Sequence, residues 1–180
     1  HGRPQGRLTL TLPIVIWGDP LLRQKSRPLD PSDLTDEFRA WCLDFTETMY
    51  EEDGVGLAAI QVGRPIRVFV ADTQFGETNR REPVVYVNPV IEPVGAPCDA
   101  DEGCLSVPGV RGKVRRAETI NISWLDVHGV PHRRENIDGL EARCLQHEND
   151  HLEGVLFVDR LSPAARALAE GKLRRLARKA

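Results

Sequence analysis

The run Gln146-His147-Glu148-Asn149-Asp150-His151-Leu152-Glu153-Gly154 constrains this chain more than any other segment. It places two histidines four residues apart. On a helix, residues at that spacing share a face, with Cβ atoms roughly 5–6 Å apart, so two imidazoles can grip one cation. Glu148 falls about 100° further round. It is too far round to be an obvious ligand but close enough to reach a water at the ion. The spacing predicts a helix that carries a hydrolytic metal site.

The flanks agree with that helix. Asp138 can cap its start, with Glu141 three residues on in the manner of a capping box. Leu140, Cys144, His147 and His151 follow at steps of four, three and four, and Gly154 is a natural stop. Both histidines thus share a stripe with two apolar residues. On a plain surface helix they would face water instead. Buried imidazoles need partners, and a metal supplies one to each.

A catalytic site of this kind needs a third protein ligand and an open position. Phe157 stands where one protease pattern puts a third histidine, and Glu170 lies on a strongly basic helix. The third ligand is therefore sought upstream. Cys104, in Glu102-Gly103-Cys104-Leu105-Ser106, is the best placed, since a thiolate binds Zn²⁺ or Fe²⁺ strongly. The competing reading is a buried structural cysteine. Cys42, Cys98 and Cys144 fit that better, with Cys144 lining the site rather than closing it. Ser106 is no nucleophile here, because no Gly-x-Ser-x-Gly elbow surrounds it.

The rest of the chain frames this site. With 180 residues it is expected to form one domain spanning 1–180. A net charge of −3 argues against a general nucleic-acid binder, DNA included. No apolar run is long enough to span a membrane, and His1–Gly6 lack the apolar core of a secretory signal. A first residue of His rather than Met suggests a processed end or an expression remnant. None of the four cysteines forms a C-x-x-C pair, which points to a reducing, cytoplasmic compartment. Leu34, Phe38, Trp41, Phe45 and Met49 keep helical spacing, with Ser32 as cap and Gly54 as stop. Strands are expected at Ile66–Ala71, Val84–Val87 and Thr119–Leu125, the last turning at His128-Gly129 into Val130–Ile137. Gly95–Gly112 reads as an ordered loop and Leu156–Val158 as a short extended segment. Ser162-Pro163 opens a final helix, about 162–180, that is rich in Lys and Arg.

Three segments in order resemble the peptide deformylase family: Gly54-Val55-Gly56-Leu57-Ala58-Ala59-Ile60-Gln61, Glu102-Gly103-Cys104-Leu105-Ser106 and Gln146-His147-Glu148-Asn149-Asp150-His151. Gly18-Asp19-Pro20-Leu21-Leu22-Arg23 and Gly154-Val155-Leu156-Phe157-Val158-Asp159-Arg160 are similar to its N-terminal segment and to the stretch after its metal helix. The resemblance implies an α+β fold of antiparallel sheets around a central helix carrying both histidines. It implies hydrolysis of the formyl group from the N-terminal formylmethionine of new polypeptides. It also implies one ion held by Cys104, His147 and His151, natively Fe²⁺, with Zn²⁺, Ni²⁺ or Co²⁺ able to replace it. Glu148 would then move the proton. Gln61 and the Leu105 N–H would steady the oxyanion, the backbone at Val55 and Gly56 would pair with the peptide, and Arg111 would lie near it. Leu140 and Cys144 are candidate walls for the methionine side chain. Arg143 is expected to face away from the pocket, toward an acid. The expected molecule is a cytoplasmic monomer (or one in an organellar matrix), with its basic end docking to ribosomal RNA. The rivals are a metalloprotease and a catalytically silent ribosome-binding or metal-storage relative. Glu148 and Gln61 argue against the silent one.

Overall fold

The computed structural model describes residues 8–180; the reading of His1–Gly6 lies outside that range. In chain order the elements are α1 (Asp36–Glu51), β1 (Gly56–Ala58), β2 (Val68–Ala71), the single turn α2 (Phe75–Thr78), β3 (Val84–Pro93) and β4 (Pro97–Glu102). Then come β5 (Gly112–Ala117), β6 (Ile120–Leu125), β7 (Pro131–Ile137), α3 (Gly139–Leu152) and α4 (Pro163–Ala177). Five strands form one antiparallel sheet in the order β1-β2-β3-β6-β7, and β4 pairs with β5 in a separate antiparallel hairpin. The fold is α+β, as the sequence led us to expect. Among the described residues no helix is long and apolar enough to cross a membrane.

β2 explains the layering. Val68-Phe69-Val70-Ala71 is apolar throughout because both of its faces are covered. Phe69 and Ala71 join Tyr86, Ile120 and Ile122 against Ala142, Leu145 and Leu152 of α3. Val68 and Val70 point the other way, onto Phe38, Phe45 and Met49 of α1. A third cluster, with Val107, Val114, Phe157 and Leu173, seats α4 beside the β4–β5 hairpin. α3 is therefore enclosed between the sheet and that hairpin.

Several local expectations need correction. Thr35, not Ser32, caps α1, its Oγ1 accepting from the Phe38 N–H. Ser32 sits in a 3-10 turn, Pro31–Asp33, and Leu34 precedes the helix while still packing on the α1 cluster. That packing made Leu34 look helical. The helix is closed by Glu52 rather than Gly54. Part of the expected loop Gly95–Gly112 is β4, whose alternation of exposed Pro97, Asp99 and Asp101 with more buried neighbours was disguised by its proline and acids. Leu156 is extended, but Phe157–Arg160 is a 3-10 turn. It is tightened by Asp159, whose Oδ2 accepts from the Leu156 N–H. Asp138 occupies the cap position of α3 without a side-chain cap bond, and Glu141 pairs with Arg134 instead. Gly154 does end the helix segment. Its φ is +73°, and a Cβ there would collide with the Arg23 carbonyl oxygen. Gly129, at φ +81°, turns β6 into β7 as expected.

Candidate active site

α3 delivers two of the expected ligands. His147 and His151 are one turn apart with ring centroids separated by 5.1 Å, and both are buried. The third comes from the loop after β4: Cys104 Sγ lies 3.4 Å from His151 Nε2. Ligand atoms of Cys104, His147 and His151 all lie within 4.8 Å of one another, and among the described residues no other group of three His, Cys, Asp or Glu side chains does so. A thiolate with two imidazoles suits a borderline divalent ion such as Zn²⁺ or Fe²⁺.

Two further features suit a cation. Glu102 Oε1 lies 2.9 Å from His147 Nδ1, which fixes that ring and leaves Nε2 for the cysteine side. A carboxylate behind a histidine is the usual support for a metal ligand. Glu148 Oε2 is buried with no hydrogen-bond partner in the protein, an arrangement that buried polar atoms rarely adopt.

The electrostatics follow from burial and close partners. Burial disfavours charge on His147, but hydrogen bonds to Cys104 and Glu102 outweigh it and push the ring up to about 10. Burial and the neighbouring His147 charge hold His151 well below its ordinary value. Burial pushes the Glu148 carboxyl up to about 7, partly offset by His147 and Arg116. A carboxyl there suits taking and returning a proton near neutrality. Glu102 is opposed by burial too, yet hydrogen bonds from His147 and Arg116 hold it well below the usual carboxylate range.

A cavity of about 440 Å³ opens onto Glu102, Cys104, His147 and Glu148, while His151 is buried behind its wall, and all the other sequence-predicted residues border it. Gln61 is 2% exposed, with Oε1 accepting from the Ala58 N–H and Nε2 donating to Ser106 Oγ at 3.0 Å, beside Cys104 Sγ at 3.5 Å. Leu105 is on the cavity wall next to the cysteine. Val55 is partly exposed on the approach to β1, and Gly56 is packed so tightly that a Cβ would sit 2.7 Å from both Glu148 Oε1 and Cys144 Sγ. Arg111 stands at the rim, its Nε donating to Asp101 at 2.6 Å, with both side chains more than half exposed. Leu140 and Cys144 border the cavity, as expected of its walls.

Sequence reasoning missed the charged groups behind the ligands. Arg143 does meet an acid, Glu102, but it also borders the cavity. Arg116, Asp150 and Arg160 continue the network. The available signals were Arg143 one turn before His147, Asp150 nearly one turn after it, and an acid two residues before Cys104.

A helix with paired histidines facing a loop cysteine, inside an α+β fold, is the architecture of a metal-dependent hydrolase. The comparisons narrow that class. The family model described as polypeptide deformylase matches residues 11–167. A peptide deformylase of Rhizorhabdus wittichii is 47% identical over 169 residues, covering 90% of this chain and 94% of the relative, and one of Brucella suis is 42% identical, covering 92% and 93%. Among solved structures, a peptide deformylase from Legionella pneumophila superposes with a TM-score of 0.82 at 40% identity, covering 92% of this chain and 95% of that one. One from Plasmodium falciparum reaches 0.85 at 33%, with the same coverages. The chain belongs to the polypeptide deformylase family, and the family together with the Cys104, His147 and His151 group supports one divalent cation.

Proposed function

We propose that this chain, as a single catalytic domain, hydrolyses the formyl group from the N-terminal formylmethionine of newly made polypeptides and releases formate. The observation that carries this reading is the convergence of Cys104, His147 and His151 beside buried Glu148. Cys104, His147 and His151 hold the ion, natively Fe²⁺, with Zn²⁺, Ni²⁺ or Co²⁺ as substitutes. When bound, such an ion supplies Lewis acidity at the formyl group and to water.

Glu148 takes a proton from the attacking water and returns it to the departing amine. The Gln61 amide and the Leu105 N–H donate toward the oxygen that gains charge, a contribution of about 2.7–4 kcal/mol per donor in comparable sites. The backbone at Val55 and Gly56 pairs with the extended peptide as an added strand. Leu140 and Cys144 receive the methionine side chain. Arg111, already held at the rim by Asp101, meets the peptide further along. Formate release from formyl-Met-Ala-Ser is the direct assay, with casein digestion beside it to test a protease. Replacing Glu148 by Ala is expected to lower kcat/KM by about 10³-fold or more while one equivalent of metal stays bound. Loss of metal instead would place Glu148 among the supports of the ligands.

We also propose that the protein acts as a cytoplasmic monomer whose basic end touches ribosomal RNA. Arg175, Arg178 and Lys179 are exposed at the end of α4, while Leu173 is buried. Truncation would therefore disturb the core. Replacing Arg175, Arg178 and Lys179 by Glu tests docking without that complication, and co-sedimentation with ribosomes at low salt is expected to fall at least tenfold.

A further inference from the structure

A cluster of charge lies buried behind His147. Glu102 Oε2 accepts from Arg116 Nε and Arg143 Nη1, at 2.7 Å each. Its Oε1 accepts from Arg116 Nη2 and His147 Nδ1, at 2.9 Å each. A carboxylate offers about four acceptor positions, so Glu102 is saturated. Arg116 alone grips both oxygens, the fork that fixes a carboxylate's orientation. Arg143 is therefore not required to aim Oε1 at His147. What it adds is a second positive charge on the same carboxylate, with its own side chain only 10% exposed and poorly screened. Its other contacts run from Nη1 to the Val114 oxygen at 2.9 Å and from Nη2 to the Cys98 oxygen at 3.0 Å, tying α3 to β5 and β4.

A carboxylate behind a ligand histidine pulls on the Nδ1 proton and makes the ring a stronger donor. Two guanidiniums on that carboxylate weaken the pull. We infer that Arg143 is a positioning residue that acts through Glu102 to keep His147 a weaker donor. A divalent cation at Cys104, His147 and His151 then retains more polarising power and is held less tightly than the ligands alone would hold it. The inference rests on the proposed ligand set.

The test uses the full chain loaded with Ni²⁺, as wild type and as the Arg143→Met, Arg143→Gln and Arg143→Lys variants. It reads the rate at which excess chelator removes the ion, beside the thermal midpoint of each loaded protein. Arg143→Met removes the charge and is expected to slow release about tenfold. A residue that merely staples α3 to the hairpin would give the opposite sign, because a loosened hairpin releases its ion faster. Arg143→Lys restores charge without the fork and is expected to release the ion within about twofold of wild type. Release from the Met variant at or above the wild-type rate overturns the inference, as does a Lys variant as slow as Met. If Arg143→Met does not fold, Arg143→Gln, neutral and still able to donate to Glu102, carries the same expectation. A wild-type protein that takes up no Ni²⁺ overturns the ligand set, and the inference with it.

Discussion

The two faces of α3 are built on different physics. Ala142, Leu145 and Leu152 press into the apolar cluster under the sheet. Arg143, His147 and Asp150 turn the other way, into hydrogen-bonded charge. On the apolar face many weak, undirected contacts add up, and losing one costs in proportion to the volume lost. On the charged face the bonds are few and directional, and removing the shared acid Glu102 leaves buried guanidiniums without their anion. The apolar face thus sets where the helix lies, and the charged face sets how its histidines point.

The contrast is broken most directly at Glu102. Replacing it by Ala leaves Arg116 and Arg143 facing one another without their shared anion. Stability is expected to fall by about 3–5 kcal/mol in denaturant titration, and metal affinity by about 10–100-fold. The same variant should change the acid limb. Glu102 is held below its ordinary 4.5 in the folded chain, so as pH falls the unfolded chain takes the proton first. The stabilisation it provides is complete above about pH 4.5 and declines below. Stability of the Ala variant should therefore depend less steeply on pH in that range, and an unchanged slope would show that Glu102 is not the group responsible.

Leu145→Ala addresses the other face. A loss of about 2–5 kcal/mol is expected, with metal content and kcat/KM per folded molecule unchanged. If metal affinity fell as well, the two faces would not be independent. The smallest effect is expected at Thr35→Ala, which removes the cap of α1 on the far side of the sheet. About 1 kcal/mol should be lost, with no change at the metal, as measured by thermal unfolding and chelator competition.

The site was far more legible in the sequence than its supports. His147, Glu148 and His151 lie in one short local pattern whose spacing implies geometry, whereas Cys104 was reached by exclusion and by the family resemblance. Glu102, Arg116, Arg143, Asp150 and Arg160 meet only through tertiary pairing of β4, β5 and α3, and no local period records that. β4 was hidden for a related reason. Asp99 and Asp101 face outward at alternate positions, and in a short strand that pattern resembles a polar loop. The cap of α1 moved to Thr35 because tertiary packing held Leu34 outside the helix, and Asp138 capped α3 without a capping box because Arg134 drew Glu141 away.

The crowding at Gly56 bears on how the enzyme could escape a drug. A peptide-like inhibitor pairing with β1, as proposed above for the substrate, would ordinarily be shut out by a bulkier residue on that strand. Here even one methyl group would meet Glu148 Oε1 and Cys144 Sγ at 2.7 Å, so the change that repels the inhibitor also dislodges the carboxylate on which turnover is proposed to depend. Selection for resistance is thereby driven away from this position and toward the rim.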